Sequence, residues 1–209
     1  TGVGVDVFES LSTGDNNTAL GFSTLKANTT GFNNTAVGNT ALQDNTTGGQ
    51  NVALGSRVLP DNTEGDGNVG IGEATLFVNT TGNRNVAIGL GVLQNSNSDD
   101  NVAIGYRAMH NATSATDSVA IGHDALFTTT GSVDNIAIGY NALRLNTSGE
   151  RLGAVGNYAL DANTTGNYNN AFGYATLSEN TTGSQNTGFG YAALGNNSTA
   201  SNNTAVGYT

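Results

Sequence analysis

The sequence is one phrase repeated along its whole length, and the repeat period restricts the possible folds more than any other feature. If the residue that opens each phrase is taken as its first position, successive copies begin 17 residues apart, except for one interval of 16 between Asn85 and Asn101. The opening residues are Asn17, Asn34, Asn51, Asn68, Asn85, Asn101, Ser118, Asn135, Leu152, Asn169, Asn186 and Asn203. With a headless first copy at Thr1, the chain predicts a single repeat domain, 1–209, of thirteen coils, the first and last partial.

The copies align with one another and show what each position requires. The fifth position is Gly in all thirteen copies, from Gly4 to Gly207. Such strictness predicts a positive φ angle or an approach of backbone too close for a Cβ atom. The chain is therefore expected to turn at the fifth position.

Three further columns predict the core. The fourth position is always large and apolar, from Val3 to Val206, and so is the ninth, from Phe8 to Leu194. The third position is only ever Ala or Gly. We expect the fourth and ninth positions to form the core, and a neighbouring chain to pack closely on the small third position.

The pattern predicts an all-β fold, a parallel β-solenoid. Side chains at the second and fourth positions share one side of an extended segment, so each copy should open with a short strand. A second short extended piece should carry the ninth residue, and a polar loop of the NTTG type should close the coil. The polar residues are expected at turns and on the surface, and the first-position Asn either forms a ladder along the stack or suits the turn before the strand.

Stacking is necessary because a 17-residue unit with two or three large apolar residues cannot fold alone. The thin cross-section and the small third column favour an intertwined or side-by-side homotrimer over a lone solenoid. The chain therefore has itself as its first expected partner.

Composition excludes several functions. The chain has no Cys and a net charge of -10 from 16 acidic and 6 basic residues. Binding to a phosphate backbone needs clustered Lys and Arg, so nucleic acid is not an expected partner. No apolar run is long enough to span a bilayer, so no membrane insertion is expected in this segment.

The phrases themselves resemble known fibre repeats. The tetrads at 86–89, 102–105 and 119–122 read VAIG, with the variant IAIG at 136–139. They resemble the head repeats of trimeric autotransporter adhesins, and NTAVG followed by AL and NTTG is similar to repeats of phage tail fibres and bacterial surface fibres. The resemblance implies a left-handed β-roll, three chains to a fibre and an extracellular location on a bacterial surface or a virion tail.

Candidate contact residues lie at the sixth position. The candidates for surface or glycan contact are Tyr106, Tyr140, Tyr174 and Tyr191, in a column shared with Phe22, His123 and Tyr208. A line of aromatic rings can stack on sugars, or can pack under loops or against a neighbouring chain. Both interpretations remain open at this point.

Catalytic, cofactor and metal sites are not predicted. His110 and His123 do not form a ligand pattern, and no nucleophile or phosphate-binding motif is present. Loop acids, including Asp66, Asp99 and Asp134, are interpreted as solvated turn residues rather than a calcium site. The irregular loops at 56–67, 94–100 and 110–117 suit either surface contacts or relaxed constraint.

The expected function is that of a structural and adhesive fibre segment, part of a longer protein, that spaces and presents receptor-binding elements and touches surface glycans. The alternative is an ice-binding β-solenoid in which paired threonines such as Thr29 and Thr30 stack into ranks. A fibre-borne glycan hydrolase with paired carboxylates is a third possibility.

Overall fold

A computed structural model describes all 209 residues, and the fold is a parallel β-solenoid of about twelve turns with thirteen strands and no helix. The prediction of an all-β parallel solenoid is confirmed. The strands are β1 Gly2–Val3, β2 Thr18–Leu20, β3 Thr35–Val37, β4 Val52–Leu54, β5 Val69–Glu73, β6 Val86–Leu90, β7 Val102–Ile104, β8 Val119–Ile121, β9 Ile136–Ile138, β10 Gly153–Val155, β11 Asn170–Phe172, β12 Thr187–Phe189 and β13 Thr204–Val206.

The chain divides into two compact units, Thr1–Asn101 with β1 to β6 and Val102–Thr209 with β7 to β13. Inside each unit every strand pairs in parallel with the strand of the next coil, and equivalent positions lie opposite each other. Val52 lies opposite Val69 in the first unit, and Val119 lies opposite Ile136 in the second. Because the register follows the repeat, each column of the sequence becomes a column of stacked side chains.

The third position, not the fourth, lies in the core. Third-position alanines such as Ala53 and Ala137 have no exposed surface, whereas Val3, Phe189 and Val206 at the fourth position are more than half exposed. The expectation that the fourth column is core, and that a neighbouring chain covers the third, was therefore wrong. The sequence correctly predicted that side chains alternate between two sides of the strand, but the side predicted to face the core is the one that faces outward.

The narrowness of the coil explains why the inner side takes the smaller residue. A third-position side chain packs against the eighth position of the preceding coil, with little space between them. A Cβ atom added at Gly70 would lie 2.5 Å from Cγ1 of Val58, and one added at Gly188 would lie 2.5 Å from Cγ2 of Thr176. Overpacking of this kind is destabilising, so the third column is limited to Ala and Gly.

The ninth position is the main core column, as predicted, but it lies in a turn rather than in a second extended piece. Its residues from Leu25 to Leu177 have no exposed surface. Their φ angles are positive, near 50° at Leu42 and 52° at Leu143. A left-handed conformation costs an L-residue about 1–2 kcal/mol. Full burial of the Leu side chain returns about 1.5–3 kcal/mol, so the turn points Leu inward without a net loss.

The fifth-position glycines meet both requirements predicted for them. Their φ angles lie between 128° at Gly105 and 143° at Gly4. A Cβ atom on Gly72 would collide with the carbonyl oxygen of Gly89, its counterpart in the next coil. Backbone is therefore packed on backbone at this corner, which no residue other than Gly permits.

Asn side chains form a buried ladder at the first position. The backbone N–H of Asn34 donates to Oδ1 of Asn17 at 2.9 Å, and Nδ2 of Asn34 donates to the carbonyl of Gly48 at 2.9 Å. Asn34 has no exposed surface. The ladder interpretation is confirmed, and the expectation that polar residues lie only at turns and on the surface was wrong.

A second buried ladder joins the Asn residues at the twelfth position. Nδ2 of Asn45 donates to Oδ1 of Asn28 at 2.7 Å and to the carbonyl of Gly48 at 2.9 Å. The same pattern links Asn163 to Asn146 at 2.9 Å. These amides are hydrogen-bonded in a core from which water is excluded, so they stabilise the stack instead of opposing it.

The polar loop is held by a carbonyl that accepts several donors. The backbone N–H groups of Thr29, Thr30 and Gly31 all donate to the carbonyl oxygen of Thr46, at 3.0, 3.1 and 3.2 Å. The hydroxyl of Thr29 donates to the same oxygen at 3.0 Å. The NTTG loop thus hydrogen-bonds each coil to the next.

Candidate functional site

The aromatic residues at the sixth position form a continuous column in the second unit. His123 lies between Tyr106 and Tyr140, with ring centroids 4.9 and 5.1 Å apart. Tyr191 lies between Tyr174 and Tyr208, at 5.2 and 5.0 Å, and these rings are within 12° of parallel. The spacing is that of adjacent coils, so each ring contacts the ring of the next coil.

All four candidate contact residues belong to this column. Tyr106, Tyr140, Tyr174 and Tyr191 are 41–48% exposed. Tyr191 lies between two nearly parallel rings, whereas Tyr106 and Tyr140 are tilted against His123. Contact between these four rings and a glycan stays a prediction.

Tyr158 is a member of the column that sequence reasoning missed. It occupies the seventh position, in a coil whose sixth residue is Asn157. Its ring is nonetheless 5.3 Å from that of Tyr140 and 5.8 Å from that of Tyr174, at interplanar angles of 68° and 74°. The sequence does carry a signal for this: position 157, where the column would need an aromatic residue, is Asn, and an aromatic residue follows at 158.

A surface groove of about 470 Å³ lies beside Tyr158. Its lining includes Tyr158 and Tyr174, the polar residues Asp161, Ser178 and Glu179, and two alanines. Burial raises the pKa of the Asp161 carboxyl, while the nearby Arg144 guanidinium acts in the opposite direction. The groove thus combines aromatic rings with hydrogen-bonding groups in a partly desolvated place.

The two His residues are held by structural contacts. His110 stacks on Phe127 at 5.4 Å. Nδ1 of His123 lies 3.4 Å from a carboxylate oxygen of Asp124, which also accepts two hydrogen bonds from the Arg107 guanidinium, at 2.9 and 2.7 Å. The ring contacts of His110 with Phe127, and of His123 with Tyr106 and Tyr140, join neighbouring coils.

Several loop acids have structural roles more specific than solvated turn residues. Oδ1 of Asp66 accepts the N–H of Gly49 at 2.6 Å, and Oδ1 of Asp99 accepts the N–H of Asn83 at 2.7 Å. Asp134 lies 3.5 Å from Arg151. No three His, Cys, Asp or Glu side chains in the structure are grouped so as to hold a metal ion. The acids join coils through single hydrogen bonds and ion pairs.

The most extensive candidate surface is the outer face of the strands, formed by the second and fourth positions. In the central coils both positions are aliphatic, and every one of these side chains retains exposed surface. The aliphatic part consists of Val52, Leu54, Val69, Ile71, Val86 and Ile88 in the first unit, and of Val102, Ile104, Val119, Ile121, Ile136 and Ile138 in the second. We call these residues the outer face. Contiguous exposed apolar surface of this kind marks an interaction site.

The fold places the chain in the class of β-solenoid repeat proteins. Comparisons with protein-family models, with curated proteins and with solved structures found no match. None of the elements is a helix with the length and hydropathy required to cross a bilayer.

Proposed function

We propose that this chain is a structural and adhesive segment of a trimeric fibre on a bacterial surface or a virion tail, where it spaces and presents receptor-binding elements. The outer face carries the proposal. Each coil adds one or two large apolar side chains to a surface that stays partly exposed in the single chain. Burial against a second copy is worth about 25 cal/mol for each Å² of apolar area removed from water.

Charge supports copies of the same chain as the occupants of the outer face. No second or fourth position carries Asp, Glu, Lys or Arg in any coil, although the chain as a whole has a net charge of -10. Identical acidic chains repel one another, so a neutral face is the part of the surface that they can share at least electrostatic cost. The number three follows from the resemblance to threefold fibres.

The small third-position side chains do not contribute to the proposed interface. Those side chains are buried within their own coil and need no cover from another chain. The large fourth-position side chains need a cover instead, because they face outward. The proposed partner is the same, but the residues that would contact it are different.

The oligomeric state tests the proposal. Light scattering and native mass spectrometry of the intact chain should give a trimer, and Ile121→Glu should shift it toward monomer because three copies would bury three carboxylates together. Asn196→Glu adds the same charge at an exposed position away from the outer face and should leave the trimer intact. A wild-type monomer at all concentrations would refute the proposed assembly.

The ice-binding alternative receives less support from the geometry. The hydroxyl groups of Thr29, Thr46 and Thr63 each donate to a carbonyl of the next coil, at 3.0–3.1 Å, instead of pointing away from the surface. The neighbouring exposed threonines are interrupted where Glu64 and Ser148 take their place. A thermal-hysteresis measurement on the intact chain decides this alternative directly.

A further inference from the structure

Tyr158 differs from the other rings of the aromatic column in orientation. Tyr174 stacks nearly parallel on Tyr191, at 11°, so its opposite face is the one directed toward Tyr158. The ring of Tyr158 is turned 74° from that of Tyr174 and 68° from that of Tyr140. Tyr158 is therefore nearly perpendicular to both neighbouring rings, so neither of its faces lies against a parallel ring.

The groove lies between the ring of Tyr158 and several polar side chains. Ala175 follows Tyr158 at the seventh position of the next coil, and its small side chain leaves the space that the groove occupies. Asp161, Ser178 and Glu179 line the same space and supply carboxylate and hydroxyl oxygens. An aromatic face beside hydrogen-bond acceptors and a donor fits a pyranose ring, whose C–H face packs on an aromatic ring while its hydroxyl groups pair at the edge.

We propose that this groove is a saccharide-binding subsite, in which a neutral pyranose packs on Tyr158 and donates hydroxyl hydrogen bonds to Asp161 and Glu179. The inference rests on the proposed adhesive function and gives it a specific location, centred on Tyr158, which the sequence did not single out, with Tyr174 of the four predicted tyrosines also in the lining. In a trimer the subsite is present three times, so weak individual contacts combine through avidity.

An organic cation is the competing ligand, because aromatic rings with carboxylates also bind quaternary ammonium groups. The observations favour the neutral sugar. Ser178 supplies a hydroxyl donor to the groove, and a quaternary ammonium group has no acceptor that could use it. The Arg144 guanidinium also offsets part of the negative charge of Asp161.

Saturation-transfer NMR on the intact chain tests the subsite with four probes, the methyl pyranosides of glucose, galactose and N-acetylglucosamine and, as the competing cation, tetramethylammonium. At least one pyranoside should receive saturation from the wild-type chain. Tyr158→Asn should abolish the transfer, and Asn suits the left-handed backbone there, as Asn141 does at the equivalent position of the preceding coil. Tyr158→Phe should retain binding, and Asp161→Asn should weaken it at least fivefold.

Tyr168→Asn is the matched control, because it removes an exposed tyrosine ring outside both the groove and the aromatic column, at a left-handed backbone position that Asn202 occupies two coils later, and it should bind like the wild type. Equal transfer to wild type and Tyr158→Asn would overturn the proposal. So would transfer to no probe, or saturation of tetramethylammonium alone. Light scattering on the same samples separates the two proposals. A trimer that binds no sugar refutes the subsite but not the assembly. A monomer refutes the assembly, and the sugar-binding result then decides the subsite by itself.

Discussion

The side chain of Asn97 replaces a missing piece of backbone in the one coil that is a residue short. In a regular coil a single backbone carbonyl accepts three N–H groups, as the carbonyl of Thr80 does from Thr63, Glu64 and Gly65. The next coil, 85–100, has only 16 residues. There the N–H groups of Thr80, Thr81 and Gly82 donate to Oδ1 of Asn97, at 2.9, 2.9 and 3.1 Å.

Replacing Asn97 by Ala removes the acceptor from all three donors. The N–H groups of Thr80 and Thr81 are exposed and can turn to water, at a cost near the lower end of the usual range of about 0.5–1.5 kcal/mol per hydrogen bond. That of Gly82 is partly buried and should cost about 1 kcal/mol. The expected loss in the free energy of unfolding is about 2 kcal/mol, or a fall in Tm of roughly 4–8 °C for a chain of this size.

Asn97→Asp is the control, because it keeps an oxygen in the same place. Converging N–H groups favour an anion, whereas the nearby Asp99 and Asp100 oppose one, so this variant should remain within about 1 kcal/mol of the wild type. The assay is chemical denaturation together with amide hydrogen exchange of the segment 79–84. Exchange should accelerate in the Ala variant and not in the Asp variant. Unchanged exchange and stability in the Ala variant would refute the idea that this side chain replaces the carbonyl.

Further substitutions test the other parts of the stack, with unfolding free energy as the measurement. Gly72→Ala should cost more than 3 kcal/mol, because a Cβ atom collides with the next coil at a φ of 136°. Gly67→Ala should cost about 1 kcal/mol, because its φ is 67° and an added Cβ would make only an ordinary contact with Cγ of Arg84, at 3.7 Å; equal losses would contradict the role of the close approach. Leu126→Ala should cost about 2–5 kcal/mol as a core deletion, and a loss below 1 kcal/mol would show that the ninth column is not the core. Asn45→Asp places a carboxyl in the buried ladder, where its pKa must rise above the unfolded value. The variant should therefore be most stable below about pH 4 and lose stability as the pH increases; a stability difference from the wild type that does not change with pH would refute this. Burial already raises the pKa of Asp161, so Asp161→Asn should stabilise the chain at neutral pH. The gain in stability should disappear below the usual pKa of Asp, and a gain that persists in acid would contradict this explanation.

The period and the Gly column were sufficient to predict the solenoid. A residue that is Gly in every copy has few physical explanations, and Gly72 satisfies two of them at once. The parallel register follows from the period, because stacking identical units places each residue on its own counterpart. The strands, the corner at Gly and the Leu core could therefore be predicted without coordinates.

The sides of the strand could not be assigned by the rule that larger apolar residues lie inside. The alternation of Val86, Ala87 and Ile88 fits either orientation. The width of the coil decides between them, and that width is set by the eighth position of the preceding coil, which is remote in sequence from the third. Tyr158 was missed for a related reason, since a ring at the seventh position reaches the same column through a different backbone path.

The polar composition has the same origin as the inverted strand. A coil too narrow for two layers of large side chains has many backbone groups at its corners and little apolar material to cover them. Asn supplies both a donor and an acceptor, so Asn34 and Asn45 can each bond to a carbonyl and to the neighbouring coil within one buried layer. Large aliphatic side chains find no space inside and are left on the outer face. The buried amides and the exposed Val and Ile columns are thus two consequences of one narrow cross-section, and the exposed columns supply the apolar surface on which the proposed assembly rests.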